Sequence, residues 1–386
     1  MIERETVCAC ALNRIFGYEP RAALALVNRY GSAAAVFERP EGEIDRLLGP
    51  YSKYTGMVNK NVLEKEEREL EWLEGLGCRF LPFTHPDFPA LLRECEDPPA
   101  GLYYKSASSP ADIFGGSAYI AVVGTRDASP YGREWCERIV KALAQAPVRP
   151  AIVSGLAFGI DITAHRAALD NGLPTIAVLP NGIDEVYPRA HQPIAANIAH
   201  TPGCALVTDY PPGTGPVAFT FLRRNRIIAA LSGATVLVES KAHGGGLITC
   251  GLASGYGREV YALPGRMDDF RSAGCNALIA EKTAEPIVNL ATLGAQLGLG
   301  RYNLRKGSDL AESVKKRYAA LPAEESAALL KLAMAVRKNR GASLDELCGL
   351  LEMPYSQVAG LAGVLEGDGI ICTDLMQRCT INAKFD

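Results

Sequence analysis

The chain has 386 residues, of which 40 are Lys or Arg and 43 are Asp or Glu, with 48% hydrophobic and 22% charged residues. At roughly 100 to 200 residues per domain this length predicts two or three domains, and the composition excludes a chain that is disordered, collagenous or coiled-coil throughout. A net charge of −3 and a pI near 6.1 exclude polyanion binding through bulk charge, so any nucleic-acid site must be a local concentration of Lys and Arg.

The eleven cysteines are scattered from Cys8 to Cys379 without a CxxC pair, which predicts reduced, mostly buried thiols and neither a disulfide framework nor a paired-cysteine zinc site. The N-terminus lacks a basic start followed by an unbroken apolar stretch. Nowhere do about 18 apolar residues run without a charge or breaker. A cytoplasmic protein without membrane contact is expected.

In chain order, apolar residues recur at helical spacing over Val7 to Phe16 and Ala22 to Tyr30, and Tyr30-Gly31-Ser32 reads as a helix stop followed by a new N-cap. A charged helix is predicted over Asn59 to Leu76. Cys78 to Pro82 follows, and then a proline-marked connection through His85-Pro86-Asp87-Phe88-Pro89 and Asp97-Pro98-Pro99. A helical domain is expected over residues 1–80, with its boundary between Gly77 and Pro110.

From Ala118 the texture changes to short apolar, β-branched runs: Tyr119 to Val123, Ala151 to Val153, Thr175 to Leu179, Ala205 to Thr208, Ala234 to Val238 and Glu259 to Ala262. Such runs, separated by helix-length segments, predict a doubly wound parallel α/β sheet of Rossmann-like type over residues 81–298. Each run leads into a glycine or turn signal, including Gly124-Thr125-Arg126, Ser154-Gly155, Asp209 to Gly213, Gly244-Gly245-Gly246 and Pro264-Gly265-Arg266. Glycine at the carboxyl ends of strands lets backbone N–H groups approach a ligand, and helix N-termini favour anions. Residues 299–320 read as a linker. Over 321–386, predicted helices at Pro322 to Val336, Ser343 to Leu351 and Pro354 to Glu366, with a hairpin of Ile370 to Cys372 and Cys379 to Ile381, compose a winged helix.

P-loop, HExxH and GxSxG motifs are absent, which leaves NTP hydrolysis, zincin and nucleophile-elbow chemistry without support. Arg126 is the first candidate for a phosphate contact; the alternative is an ion pair with Asp127 or Asp209. Asp161 and His165, four residues apart on one helix, fit a proton-transfer or metal pair, but hydrogen bonding that holds the glycine loop is the favoured reading. Phe221-Leu222-Arg223-Arg224-Asn225-Arg226 is the densest positive cluster of the α/β region. An aromatic beside guanidiniums can stack a base while neutralising phosphates, and Phe221 or one Arg, not all, is expected to meet ligand. Lys241 to Thr249, with Gly244, Gly245 and Gly246, reads as an anion nest opening a helix.

These motifs, with Thr175 to Leu179, Leu247-Ile248-Thr249 and Leu263-Pro264-Gly265, stand in the order of the DprA/Smf family, which residues 80–285 resemble. The resemblance implies a non-catalytic, cofactor-free protein of natural transformation that coats incoming single-stranded DNA as a homodimer and loads the RecA recombinase, with single-strand-binding protein as a further partner. It also implies a sterile-alpha-motif-like (SAM-like) helical domain before the core and a winged helix after it. Thr125, Arg126 and Phe221 map to the family's single-strand pocket. The full expected set is Gly124, Thr125, Arg126, Ser154, Gly155, Arg189, Phe221, Arg223, Arg224, Asn225, Arg226, Lys241, Gly244, Gly245, Gly246 and Thr249. Three positions depart from the family pattern: Leu222 stands for a usual Pro, Ala218 for a Lys, and His243-Gly244-Gly245-Gly246 for a Ser-Gly-Ser turn. Arg223 or Arg189 is the candidate compensation for the lost Lys. The rival reading is a nucleotide-processing enzyme of phosphoribohydrolase type, and a duplex-DNA regulator is a weaker third, because Pro354 to Glu366 carries no Lys or Arg.

Overall fold

The computed structural model describes residues 2–40, 42–49, 51–300, 310–319, 321–339, 341–373 and 378–381. They divide into two compact units, residues 1–301 and 302–386.

The first unit is built on one sheet of nine strands: β1 (Cys78–Pro82), β2 (Gly101–Lys105), β3 (Tyr119–Val123), β4 (Ala151–Ser154), β5 (Thr175–Val178), β6 (Ala205–Thr208), β7 (Ala234–Leu237), β8 (Glu259–Ala262) and β9 (Glu285–Pro286). Their order is β1-β2-β6-β5-β4-β3-β7-β8-β9. From β6 to β9 all pairings are parallel, and β3 to β8 are the six apolar runs read from the sequence. These strands are covered on both faces, which is why they carry no alternating polar residues. In β5, Ile176 and Val178 enter one core with Ile227 and Ala229, while Ala177 enters the other with Leu156 and Ile198.

The proline-marked connection is flanked by two strands that were not read from the sequence. β1 and β2 pair antiparallel with each other, and β2 pairs antiparallel with β6. Both adjoin proline-rich turns and carry a cation, Arg79 and Lys105, which breaks up the apolar run. Alternation still assigns their faces. Phe80 and Tyr103 pack with Leu12, Phe16 and Leu73 of the N-terminal helices, whereas Leu81 and Leu102 join the opposite core. The expected helix stop is present: Gly31 is left-handed at φ 88°, its N–H bonds Val27 O, and Ser32 Oγ accepts from Ala35 N at 3.0 Å.

In the second unit the helices Ala323–Lys338, Leu344–Leu351 and Tyr355–Gly367 enclose a core with Leu310, Val314 and Ile371. Strands β10 (Ala342–Ser343), β11 (Ile371–Thr373) and β12 (Arg378–Ile381) form an antiparallel sheet in the order β10-β12-β11. Ser343 and Glu346 close a capping box on the second helix. Of the expected linker 299–320, residues 301–309 lie outside the described residues. Leu310–Arg317 is a helix, corrected from linker because Leu310, Val314 and Tyr318 are spaced by four along one face and buried in this unit's core. Among the described residues no helix is long and apolar enough to cross a membrane, and no group of three His, Cys, Asp or Glu is placed to hold a metal.

Candidate nucleic-acid interface

The strand order reverses at β3, whose neighbours are β4 on one side and β7 on the other. Ligands of open α/β sheets bind outside the carboxyl ends of the strands at such a reversal. A cleft of about 450 Å³ lies there, lined by the turn after β3, the turn after β7, and the helices Ile160–Asp170, Ala218–Leu231 and Gly245–Gly255.

The turn Gly124-Thr125-Arg126 is clamped by backbone. Thr125 N donates to Glu239 O at 2.8 Å, and Thr125 O accepts from Ile160 N at 3.2 Å. The Thr125 amide is therefore committed to the fold, and its hydroxyl accepts from Asp127 N at 3.2 Å. No side chain fits at Gly124, where a Cβ would lie 2.6 Å from Ile160 Cγ1 and 2.9 Å from Glu239 O. Glu239 is itself buried and accepts from Ser129 N at 2.8 Å, while Ser129 Oγ caps the next helix through Gly132 N at 3.0 Å.

Arg126 is exposed and makes no ion pair or hydrogen bond among the described residues. Its guanidinium carbon lies 4.4 Å from the centroid of the Phe221 ring. Both acidic residues offered as alternative partners are taken elsewhere: Asp127 by Lys241 at 3.6 Å and Arg271 at 3.4 Å, and Asp209 by Arg223 at 3.0 Å and Arg226 at 2.5 Å. Phe221 is half-buried and meets Tyr187 at 5.6 Å between ring centroids.

The opposite wall starts at Lys241 and continues through Gly244 into the helix Gly245–Gly255. Leu247 N turns back to Gly244 O at 3.1 Å, and the helix dipole presents positive charge to the cleft. Gly246 is required for close approach, since a Cβ would meet Leu237 Cδ1 at 2.7 Å and Gly124 Cα at 3.4 Å. Asn225 Nδ2 donates to Gly245 O at 3.4 Å, and Thr249 Oγ1 to the same oxygen at 3.3 Å.

Arg224 floors the cleft, donating to Gly155 O at 2.6 Å and to Val178 O. Burial, opposed by Asp161 and reinforced by Arg126, brings its pKa down to about 10, so it stays charged at neutral pH. Asp161 is the one carboxyl among the lining residues, against the three cations Arg126, Arg224 and Lys241. Burial raises its pKa, with Arg224 the largest opposing influence.

Five expected site residues lie elsewhere. Ser154 is fully buried and its hydroxyl donates to Val122 O at 2.7 Å. Gly155 sits beneath the Arg224 guanidinium, whose Nη1 would lie 2.2 Å from a Cβ there. Arg223 turns away to Asp209, Gly17 O and the Tyr18 and Tyr210 rings, and Arg226 to Asp209 and Asp97. Arg189 borders a separate depression with Lys105 and Asp184, so neither suggested compensation for Ala218 reaches the cleft.

Residues 79–298 match the family model of DNA recombination-mediator protein A. The chain belongs to the DNA recombination-mediator protein A family. A Mycobacterium tuberculosis relative is 31% identical over 360 residues, covering 89% of this chain and 88% of the relative. The DNA processing protein DprA of Streptococcus pneumoniae is 40% identical over 239 residues, 61% of this chain and 82% of that protein. The X-ray structure of DNA processing protein A from Streptococcus pneumoniae superposes with a TM-score of 0.62 at 30% identity, covering 77% of this chain and 98% of that one.

Ser240 and Ala157 also line the cleft, the second within the Ser154 to Ala157 segment that follows β4. Asp161 Oδ2 accepts from Ala157 N at 3.4 Å, holding the glycine loop as expected. His165 does not join it. Its Nδ1 meets Thr175 Oγ1 at 2.7 Å in a fully buried position. Burial first, and the Arg224 charge next, push the imidazole down to about 3. Between about pH 6.5 and that value the unfolded chain takes a proton that the native state refuses, so stability falls as pH falls, by up to about 1.4 kcal/mol per pH unit. His165→Asn is expected to flatten this dependence. Urea unfolding at about pH 7 and about pH 5 checks it, and an equal pH difference in variant and wild type would refute a neutral buried imidazole.

Proposed function

We propose that this chain binds single-stranded DNA in the cleft at the β3 reversal, without sequence preference, and acts as a non-catalytic cytoplasmic mediator of natural transformation. The observation that carries the reading is the unpaired Arg126 guanidinium lying on the Phe221 ring at the carboxyl rim of the sheet. A planar cation over an aromatic face can neutralise a phosphate while an adjacent base stacks, and every base has a face to stack. Confinement of three cations to one cleft is how a chain of net charge −3 binds a polyanion. The Streptococcus pneumoniae relative is named a DNA processing protein, which agrees with this reading.

In this proposal the chain works as a homodimer, coats incoming strand, receives it from single-strand-binding protein and loads RecA. The first eighty residues serve as a SAM-like domain, and residues 321–386 as a winged helix that meets protein. Its helix Tyr355–Gly367 has no Lys or Arg for duplex phosphates. The phosphoribohydrolase reading draws less support, because the Gly244 to Gly246 turn, where such enzymes carry a Glu, is followed by Thr249 and Cys250 and no Glu follows it before Glu259.

Oligo-dT binding measured over a salt series tests the reading. Wild-type affinity is expected to fall steeply with salt, and Arg126→Ala to reduce the slope of log K against log salt by about 1. Unchanged affinity and slope in Arg126→Ala would overturn the site.

A further inference from the structure

The rim extends beyond the cleft in one direction. β3, β7 and β8 are consecutive neighbours, and at about 4.8 Å per strand their carboxyl ends form a ledge roughly 10 Å long. The first turn carries Arg126 and the second Lys241. The third, between β8 and the helix Ala273–Ala280, carries Phe270 and Arg271.

Phe270 is 63% exposed, yet its turn is firmly built. Asp269 accepts from Arg271 N and Ser272 Oγ, both at 3.0 Å, and Asn276 bonds Gly265 through both its amide atoms at 3.1 and 3.2 Å. Gly274 N donates to Ser240 O at 2.8 Å, which ties this turn to the one that holds Lys241. Cations flank the ring: Lys241 Nζ lies 5.4 Å and the Arg271 guanidinium carbon 5.6 Å from its centroid. Both reach Asp127, the neighbour of Arg126, so one carboxylate spaces two cations around an open aromatic face. An exposed ring fixed between two cations, and joined to a cationic cleft through Lys241, is the composition of a stacking platform on a nucleic-acid path.

We propose that Phe270, with Lys241 and Arg271, is a second base-stacking station on the single-strand track, adjacent to the one at Arg126 and Phe221. The inference rests on the single-strand reading of the cleft. The strand crosses from the β3 turn over Lys241 to the β8 turn, where one further base lies on Phe270 while Lys241 and Arg271 meet its flanking phosphates.

The test measures oligo-dT binding by wild type, Phe270→Ala and Phe270→Tyr, with strands in which a single abasic sugar is placed at successive positions. Phe270→Ala is expected to weaken oligo-dT binding by about 5- to 150-fold, the cost of one lost stack, and to leave the salt slope unchanged. Phe270→Tyr is expected to bind as wild type. One abasic position should weaken wild type by a similar factor and have no further effect in Phe270→Ala, which a merely structural role would not produce. Wild-type binding with full affinity and an unaltered abasic profile in Phe270→Ala overturns the second station and leaves the cleft reading standing. Failure of wild type to bind oligo-dT overturns both. A change of gel-filtration mass in Phe270→Ala without a change in DNA affinity also overturns the station, assigning the ring to contact between copies.

Discussion

Replacing Asp209 with alanine is expected to lower the unfolding free energy by about 3 to 5 kcal/mol, the range for removing one partner from a buried ion pair. The carboxylate is 3% exposed and holds two guanidiniums at once, Arg226 at 2.5 Å and Arg223 at 3.0 Å. Neither arginine can reach water freely, since their side chains are 10% and 7% exposed. Removal of the carboxylate leaves two buried cations whose remaining partners are mainly carbonyls: Gly17 O for Arg223, and Asp97 O for Arg226 at 2.5 Å. The damage should spread along the chain, because Asp209 O also accepts from Asn13 Nδ2 at 2.8 Å, so the same turn joins the N-terminal helices to the helix that carries Phe221. Urea unfolding of Asp209→Ala and Asp209→Asn gives the measurement. A loss below about 1 kcal/mol in the alanine variant would mean that the guanidiniums find other partners and that the cluster adds little.

Phe221→Ala is expected to weaken oligo-dT binding by about 1 to 3 kcal/mol while leaving unfolding free energy nearly unchanged, because the ring is half-buried in a cleft and outside the main cores. The Arg126 guanidinium rests on that ring, so the two residues should not act independently. Without Phe221 the arginine loses its stacked orientation, and without Arg126 the ring keeps its face but loses the cation. The double variant Arg126→Ala with Phe221→Ala should therefore cost less than the two single losses together, with a coupling of about 0.5 kcal/mol or more. Strict additivity, measured by fluorescence titration at fixed salt, would contradict a shared station. Phe221→Tyr, which keeps the face, is the control expected to bind as wild type.

Much of this was open to a reader of the sequence, for identifiable reasons. Strands β3 to β8 are short apolar runs because both of their faces are covered, and such runs differ visibly from the helices between them. Gly124 and Gly246 stand where a Cβ would strike neighbouring backbone or side chain, so glycine was legible as close approach. Strands β1 and β2 were not legible, because their pairing partners lie 27 and 103 residues away, as Cys78 to Lys105 and Tyr104 to Val207.

The arginines separate what the two levels decide. By itself the sequence determined that Phe221 to Arg226 is a cationic, aromatic segment near the rim, and that helical geometry forbids all of it from facing one ligand. Successive residues of a helix point about 100° apart. Which guanidinium faces the cleft was decided only by the tertiary structure, which sets Asp209 beside Arg223 and Arg226, places the Gly155 carbonyl against Arg224, and leaves Arg126 on the Phe221 ring. A buried guanidinium must be paired, and its partners here come from turns distant in the chain, so the division between structural and ligand-facing arginines exists only once the sheet has brought those turns together.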